Sequence, residues 1–142
     1  MQPIGKLSKA TGVKVATIRY YEDIGLLPEA ERSSGNQRLY DKAAQERLSF
    51  IRHARALGFS LDDIRDLLGL ADQPQRSCDA VDAIAHRQLA AVQARIARLQ
   101  ALEAELARML AQGSHDTIGA CRVIEVLGDH GLCAHGHEEG LA

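Results

Sequence analysis

The chain has 142 residues, of which 46% are hydrophobic and 25% are charged, a composition typical of a folded protein and not of a disordered one. No apolar run approaches the roughly 20 residues of a membrane-spanning helix, and the N-terminal MQPIGKLSKA lacks the apolar stretch of a signal peptide, so we expect a cytoplasmic protein. Three cysteines in a reducing compartment argue for free thiols or metal ligands and against a disulfide framework.

Charge is distributed unevenly along the chain. Residues 1–57 carry ten Lys and Arg against six Asp and Glu, whereas residues 58–142 carry seven against thirteen. The first segment therefore has a net charge of +4 and the second of −6. A basic N-terminal part suggests contact with a polyanion. A chance asymmetry in a small protein is the alternative.

Residues 4–25 predict two short helices around a glycine turn. Ile4 and Leu7 are spaced for one amphipathic helix, and Gly12 suits a tight turn. The stretch KVATIRYYEDIG predicts a second helix that ends at Gly25. We interpret the pair as a helix-turn-helix, although any helical hairpin has a similar pattern.

The stretch ERSSGNQRLYD predicts a small β-hairpin, because a Ser-Gly-Asn centre lies between two short extended segments. Arg32 and Arg38 flank this turn, and Tyr40 follows. A basic hairpin directly after a helix-turn-helix would be a wing. The alternative is an ordinary loop with two solvated arginines.

Two capped helices and a linker are predicted next. Asp41 can cap a helix over about residues 43–57. Its apolar face comprises Leu48, Ile51, Ala54 and Leu57. Ser60 and Asp63 have the spacing of a capping box and open a helix that extends to about Leu70. ADQPQRS then predicts a linker.

A single long helix of about 34 residues is predicted from about Ser77 to Gly113. Apolar residues recur along it at steps of three and four: Leu89, Val92, Ile96, Leu99, Leu102, Leu106 and Leu110. This narrow seam is typical of a coiled coil, and no other predicted element is long enough to cover it. We therefore expect a homodimer through this helix. Packing of the seam on the chain's own domain is the alternative.

The C-terminal segment contains side chains that bind soft metal ions. A loop, SHDTIGA, precedes a short helix over about residues 121–127, and a Gly/His tail follows. The candidate ligands in this segment are His115, Cys121, His130, Cys133, His135 and His137, and Cys78, far upstream, is the seventh candidate. The tail is compatible with one local ion site and equally with weak binding by a flexible segment. His53 and His86 are interpreted as structural.

No HExxH or comparable pairing is present, so an enzyme is not expected.

Together these elements resemble the MerR family of bacterial transcription activators. The resemblance rests on IRYYE…GLL…R…GN.RLY and continues through RLSFIRHARALGFSLDDIRDLL. The long helix and the cysteine-bearing loop resemble the branch that senses zinc, cadmium or lead. The resemblance implies a mainly α fold: a winged helix-turn-helix with a small β-hairpin wing (1–75), a long antiparallel coiled-coil dimerisation helix (76–112), and a metal-binding loop, short helix and tail (113–142).

The resemblance also implies which residues contact DNA. The recognition helix would be residues 15–23, and the contacts would be Thr17, Arg19 and Tyr20 at the major groove or its phosphates and Arg32, Arg38 and Tyr40 at the wing and the DNA backbone. Since adjacent helical positions point about 100° apart, we expect one of Tyr20 and Tyr21 in the core and the other at the DNA. The dimer would bind promoter double-stranded DNA and distort it so that RNA polymerase engages the promoter when metal is bound.

Two of the candidate ligands lie at opposite ends of the long helix. Cys78 precedes it and Cys121 follows it, about 50 Å apart at roughly 1.5 Å per residue, so they cannot share an ion within one chain. Antiparallel pairing would bring Cys78 of one subunit to Cys121 and His115 of its partner.

The metal-responsive branch usually has a cysteine near Gln112 or Gly113, and this chain has none. His115, a water or a tail residue such as Cys133 could take its place. Thiolate and imidazole favour Zn(II) first, then Cd(II) or Pb(II), with Co(II) as a further candidate. The missing cysteine disfavours a three-thiolate mercury site and a two-thiolate copper site. A thiol redox sensor on the same DNA-binding scaffold is the alternative function.

Overall fold

The computed structural model describes residues 1–112 and 117–132, with only the backbone at His130. The chain divides into two compact units, Met1–Ala85 and His86–Ala142. Within the described residues, no helix is both long and apolar enough to cross a membrane.

The first unit begins with the predicted pair of helices, α1 (Ile4–Thr11) and α2 (Val15–Asp23). Gly12 joins them with φ 74°, in the left-handed region that favours glycine. Its N–H donates to the carbonyl of Ser8 at 2.8 Å and so closes α1. Gly25, which follows the end of α2, also has a left-handed backbone, with φ 79°. The helix-turn-helix prediction is confirmed.

A small antiparallel sheet follows the two helices. Strands β2 (Glu31–Arg32) and β3 (Arg38–Tyr40) form the predicted hairpin, with Arg32 opposite Arg38. Asn36 turns the chain between them with φ 63°. The sequence did not predict β1 (Gln2–Pro3), which pairs with the other side of β3. The wing is therefore a three-stranded sheet with β3 at its centre.

Two capped helices complete the first unit, α3 (Lys42–Ala56) and α4 (Leu61–Ala71). The Asp41 carboxylate accepts from the N–H of Ala44 at 2.8 Å, and the Ser60 hydroxyl accepts from the N–H of Asp63 at 3.0 Å. Both predicted N-caps are confirmed, and each contributes about 1 kcal/mol to helix stability.

The core of the first unit combines residues from its helices and from the wing. Leu48, Ile51 and Ala54 are buried as predicted, but Leu57 is exposed because α3 ends one residue before it. The buried apolar cluster consists of Leu7, Val13, Ile18, Tyr21, Leu26, Leu27, Tyr40, Leu48, Ile51, Ala54, Ile64 and Leu68.

Three arginines tie the ends of α1 and α2 to the later helices. Arg52 of α3 donates to the carbonyl of Thr11 at 2.9 Å. Arg47 donates to the carbonyl of Leu26 at 2.8 Å. Arg65 of α4 donates to the carbonyl of Ile24 at 2.6 Å. These bonds satisfy carbonyls at or just beyond the ends of the helices and hold the helix-turn-helix against α3 and α4.

The long helix α5 (Asp79–Ala111) has 33 residues, as the sequence predicted. It begins after Cys78, whose carbonyl accepts from the N–H of Asp82 at 2.8 Å. Beyond it lie a 3-10 turn at Ile118–Ala120, the short helix α6 (Arg122–Gly128) and a second 3-10 turn at His130–Leu132.

Candidate DNA interface and metal ligands

The outer surface of α2 carries the residues predicted to meet DNA. Tyr20 is 50% exposed and its neighbour Tyr21 only 7%, so the prediction that one of the two lies in the core is confirmed. Arg19 is exposed and Thr17 half-buried. Lys14, exposed at the start of α2, extends this basic surface. Lys14 was not among the predicted DNA contacts, and its place next to the turn is the one signal for it in the sequence.

The wing is attached to α2 through one carboxylate. The Glu22 side chain is 6% exposed and lies 3.9 Å from Nε of Arg38. The hydroxyl of Tyr40 donates to the same carboxylate. Arg38 and Tyr40 are neighbours on β3, so Glu22 fixes the central strand of the wing beside the helix.

The contact with Glu22 contributes to a raised pKa of Tyr40. Burial, followed by the hydrogen bond to Glu22 and its negative charge, raises the pKa of Tyr40 well above its usual value, while the charges of Arg38 and Arg19 act in the opposite direction. Tyr40 is only 2% exposed and its proton is held by Glu22. That position argues for a support beneath the wing and against direct contact with a phosphate.

The two predicted wing arginines have different surroundings. Arg32 is exposed on β2 and donates to the carbonyl of Asn36 at 3.1 Å across the turn. Arg38 keeps 31% of its side chain exposed despite its ion pair with Glu22. Guanidinium groups in such positions can form paired hydrogen bonds to phosphate or to guanine.

The structure describes two of the candidate metal ligands completely. Cys78 is exposed and Cys121 half-buried, and both are free thiols. His115, Cys133, His135 and His137 lie outside the described residues, as does the side chain of His130. Over residues 1–112 and 117–132, the chain by itself gathers no group of three Cys, His, Asp or Glu side chains that could hold an ion. His53 and His86 are both exposed on their helices.

Two faces of α5 differ in exposure. The predicted seam is open to solvent, with Leu99 58% and Leu106 57% exposed, together with the similarly exposed Leu89, Ile96 and Leu110. Val92 and Leu102, the other two residues of the predicted seam, are half-buried. Glu105 and Met109, about a quarter-turn away around the helix, are buried.

Comparisons with known proteins agree with this architecture. Residues 3–70 match the family described as MerR HTH family regulatory protein, and residues 45–109 match the family described as MerR, DNA binding. The HTH-type transcriptional regulator ZntR of Escherichia coli K12 is 39% identical over 130 residues, which are 89% of this chain and 92% of that protein.

Two further relatives have names that mention metals. Heavy metal-dependent transcription regulator 2 of Rhizobium meliloti is 36% identical over 122 residues, covering 86% of this chain and 83% of that protein. The crystal structure of PbrR691 from Ralstonia metallidurans CH34 in complex with lead(II) is 42% identical, covers 89% of this chain and 99% of that one, and superposes with a TM-score of 0.77. With its winged helix-turn-helix and long helix, this chain belongs to the MerR family of DNA-binding transcriptional regulators and is not an enzyme.

Proposed function

We propose that this MerR-family chain is a metal-responsive regulator that acts as a homodimer on promoter DNA in the cytoplasm. Binding of a divalent ion would activate transcription of metal-resistance or efflux genes. One observation carries the proposal: free thiols flank the two ends of a long helix whose apolar seam is open.

Dimerisation follows from the exposed seam. Leu89, Ile96 and Leu99 occur at coiled-coil spacing and are about half-exposed in the single chain. A monomeric soluble protein rarely exposes a contiguous apolar stripe of this length. A second copy of α5 has the matching pattern and length, and an antiparallel arrangement of the two gives a closed, two-fold symmetric dimer.

The ion site in this proposal is shared between subunits. Cys78 of one subunit and the partner's Cys121 would be the thiolate ligands, with His115 or Cys133 as the third. Thiolate and imidazole donors suit Zn(II), Cd(II), Pb(II) and Co(II). We place Zn(II) first, and the similarity to PbrR691, which was solved with lead(II), supports Pb(II) as a competitor. The ion would supply positive charge and directed bonds to side chains from both subunits.

DNA recognition would use the exposed basic surface of the first unit. Arg19, Tyr20 and Thr17 on α2 would face the major groove or its phosphates, and Arg32 and Arg38 would contact the backbone from the wing. Tyr40 would act indirectly by holding Glu22. For metal to change transcription, the dimer must have two states that bind the ion unequally. The activating state would distort the promoter so that RNA polymerase engages it.

The test is transcription in vitro from a cognate promoter with RNA polymerase, titrated separately with Zn, Cd, Pb and Co ions and with peroxide. We expect a metal ion to raise promoter output. Cys78→Ser and Cys121→Ser should each abolish the response and leave DNA affinity unchanged, because both residues lie outside the winged helix-turn-helix. A response to peroxide alone would support the redox-sensing alternative and overturn the proposal.

A further inference from the structure

A buried ion pair lies near the C-terminal end of α5. Glu105 is only 2% exposed. Arg108, one turn further on, donates to both of its carboxylate oxygens, through Nη2 at 2.5 Å and through Nε at 3.3 Å. Burial of a carboxylate is costly unless the charge is paired and hydrogen bonded. This pair is therefore expected to keep one geometry, with the guanidinium plane fixed by two bonds.

Arg108 also binds the backbone well beyond its own helix. Its Nη2 donates to the carbonyl of Leu132 at 2.5 Å. Leu132 ends a turn that is itself closed, because the N–H of Gly131 donates to the Asp129 carboxylate at 2.9 Å and the N–H of Leu132 donates to the Asp129 carbonyl at 3.1 Å. The segment that follows α6 is thereby tied to α5.

A second tie holds the start of α6. Nε of Arg122, its first residue, donates to the side-chain carbonyl of Gln112, directly after α5. Between the two ties, Val126 of α6 is 1% exposed and Met109 of α5 is 4% exposed. Cys121 immediately precedes Arg122. The backbone of Cys121 is therefore held by α6, because hydrogen bonds to α5 or to the residue directly after it lie on both sides of the buried Val126.

We propose that Arg108, oriented by Glu105, is a positioning residue that fixes α6 and so presents Cys121 for metal capture. Only the part of this inference that concerns metal capture rests on the proposed function. Arg108 acts without contacting the ion, since a guanidinium has no acceptor lone pair and stays protonated. Its planar fork can serve the carboxylate and the Leu132 carbonyl together, whereas a lysine offers a single ammonium.

The first test uses the full-length, metal-free dimer. Thiol alkylation by iodoacetamide is followed by peptide mass spectrometry, with the rate at Cys121 in wild type as the reference. Arg108→Met should speed alkylation of Cys121 several-fold, because release of α6 opens the segment around Cys121. Arg98→Met, the same change at an exposed position of α5, is the matched control and should match wild type. Unchanged Cys121 alkylation in Arg108→Met overturns the proposal.

The second test measures Zn(II) affinity against a competing chelator. Loss of a support that orients a ligand typically weakens metal binding by 10- to 100-fold, so we expect Arg108→Met to bind Zn(II) roughly tenfold more weakly. Arg108→Lys, which keeps the charge, should restore part of this loss. A wild-type dimer that binds no metal would refute the proposed function, while the alkylation result would still decide the role of Arg108.

Circular dichroism and sedimentation establish that each variant is folded and dimeric. If Arg108→Met fails to fold, Arg122→Ala replaces it, because this variant removes the tie at the start of α6 and leaves the buried Glu105–Arg108 pair intact. Faster alkylation of Cys121 in Arg122→Ala supports the positioning of Cys121 by a fastened α6, and an unchanged rate overturns it.

Discussion

The hydroxyl of Tyr40 in the central strand of the wing donates to the carboxylate of Glu22 on α2. Both side chains are buried, and Arg38 adds an ion pair to the same carboxylate. The orientation of the wing relative to α2 is therefore fixed by one carboxylate. Any DNA contact that needs the helix and the wing together depends on this link.

Tyr40→Phe tests that link. Removal of a hydrogen bond to a charged, buried group should lower the free energy of unfolding by roughly 1–3 kcal/mol at neutral pH. The structure raises the pKa of Tyr40, so the unfolded chain loses this proton first. The contribution of Tyr40 to the free energy of unfolding should therefore be fully present below pH ~10 and should be lost as the pH rises above it.

The measurement is urea unfolding between neutral and strongly alkaline pH. In Tyr40→Phe, stability should be lower at neutral pH and the alkaline decline smaller than in wild type. Tyr20→Phe, at an exposed tyrosine of α2, is the control and should keep the wild-type profile. Equal alkaline declines in wild type and Tyr40→Phe would contradict this account.

Arg19→Ala and Arg38→Ala test the proposed DNA interface. Each should weaken promoter binding and reduce the slope of log affinity against log salt by about 1, the loss expected for one phosphate contact. The measurement is fluorescence anisotropy of a labelled promoter duplex at several salt concentrations. Arg98→Ala, which removes an equal charge from exposed α5, is the control. If Arg19→Ala and Arg38→Ala both have the DNA affinity and salt slope of Arg98→Ala, α2 and the wing do not contact DNA as proposed.

Much of the winged unit could be predicted because its signals are local. Asp41 and Ser60 cap helices that begin at the next residue, and Gly12 and Gly25 occupy the left-handed positions where the helices end. The hairpin follows from the Ser-Gly-Asn turn. Each of these features depends on neighbours within about four residues, where sequence patterns predict well.

The contacts that were missed depend on residues far apart in the chain. Strand β1 is two residues long and includes a proline, so it has no periodicity to detect. Glu22 is a charged residue among other polar ones, and its partners Arg38 and Tyr40 lie 16 and 18 positions later in the chain. Arg108 bonds to the carbonyl of Leu132, 24 positions away, a contact that no local pattern predicts.

The candidate metal ligands could be predicted only in part from the sequence. Their chemistry makes Cys78 and Cys121 candidates from sequence alone, and the structure confirms that both thiols are free. Which side chains meet across a dimer depends on the pairing of two chains, a relationship that neither the spacing nor the fold of one chain contains. The shared site therefore remains a prediction that needs an experiment on the dimer.

Dimerisation through the seam is tested by Leu99→Glu combined with Leu106→Glu. Both leucines are exposed in the single chain and would be buried by a second copy, so two carboxylates there should prevent pairing. Sedimentation equilibrium should show a monomer. Ala94→Glu, at an exposed alanine away from the seam, should remain a dimer. A wild-type dimer in the double variant would show that α5 does not pair through these residues.

The third metal ligand is tested by comparing His115→Ala with Cys133→Ser. The proposed site has two thiolates and needs a third ligand, so we expect one of these two side chains to complete it. Loss of the true ligand should weaken Zn(II) binding by at least about tenfold, and loss of the other should leave it unchanged. Competition with a chelator gives the affinities. If neither change weakens binding, a water or another tail residue is the third ligand.

The shared site makes a prediction that only mixed dimers can test. A Cys78→Ser subunit is paired with a Cys121→Ser subunit through two different affinity tags, and the heterodimer is isolated. If each site combines Cys78 of one subunit with Cys121 of the other, one site keeps both thiolates and the second loses both. We therefore expect one tightly bound ion per heterodimer, measured by elemental analysis after dialysis, and none in either homodimeric variant. If each site were built within one chain, both sites of the heterodimer would lack a thiolate, and a metal-free heterodimer would exclude the shared arrangement.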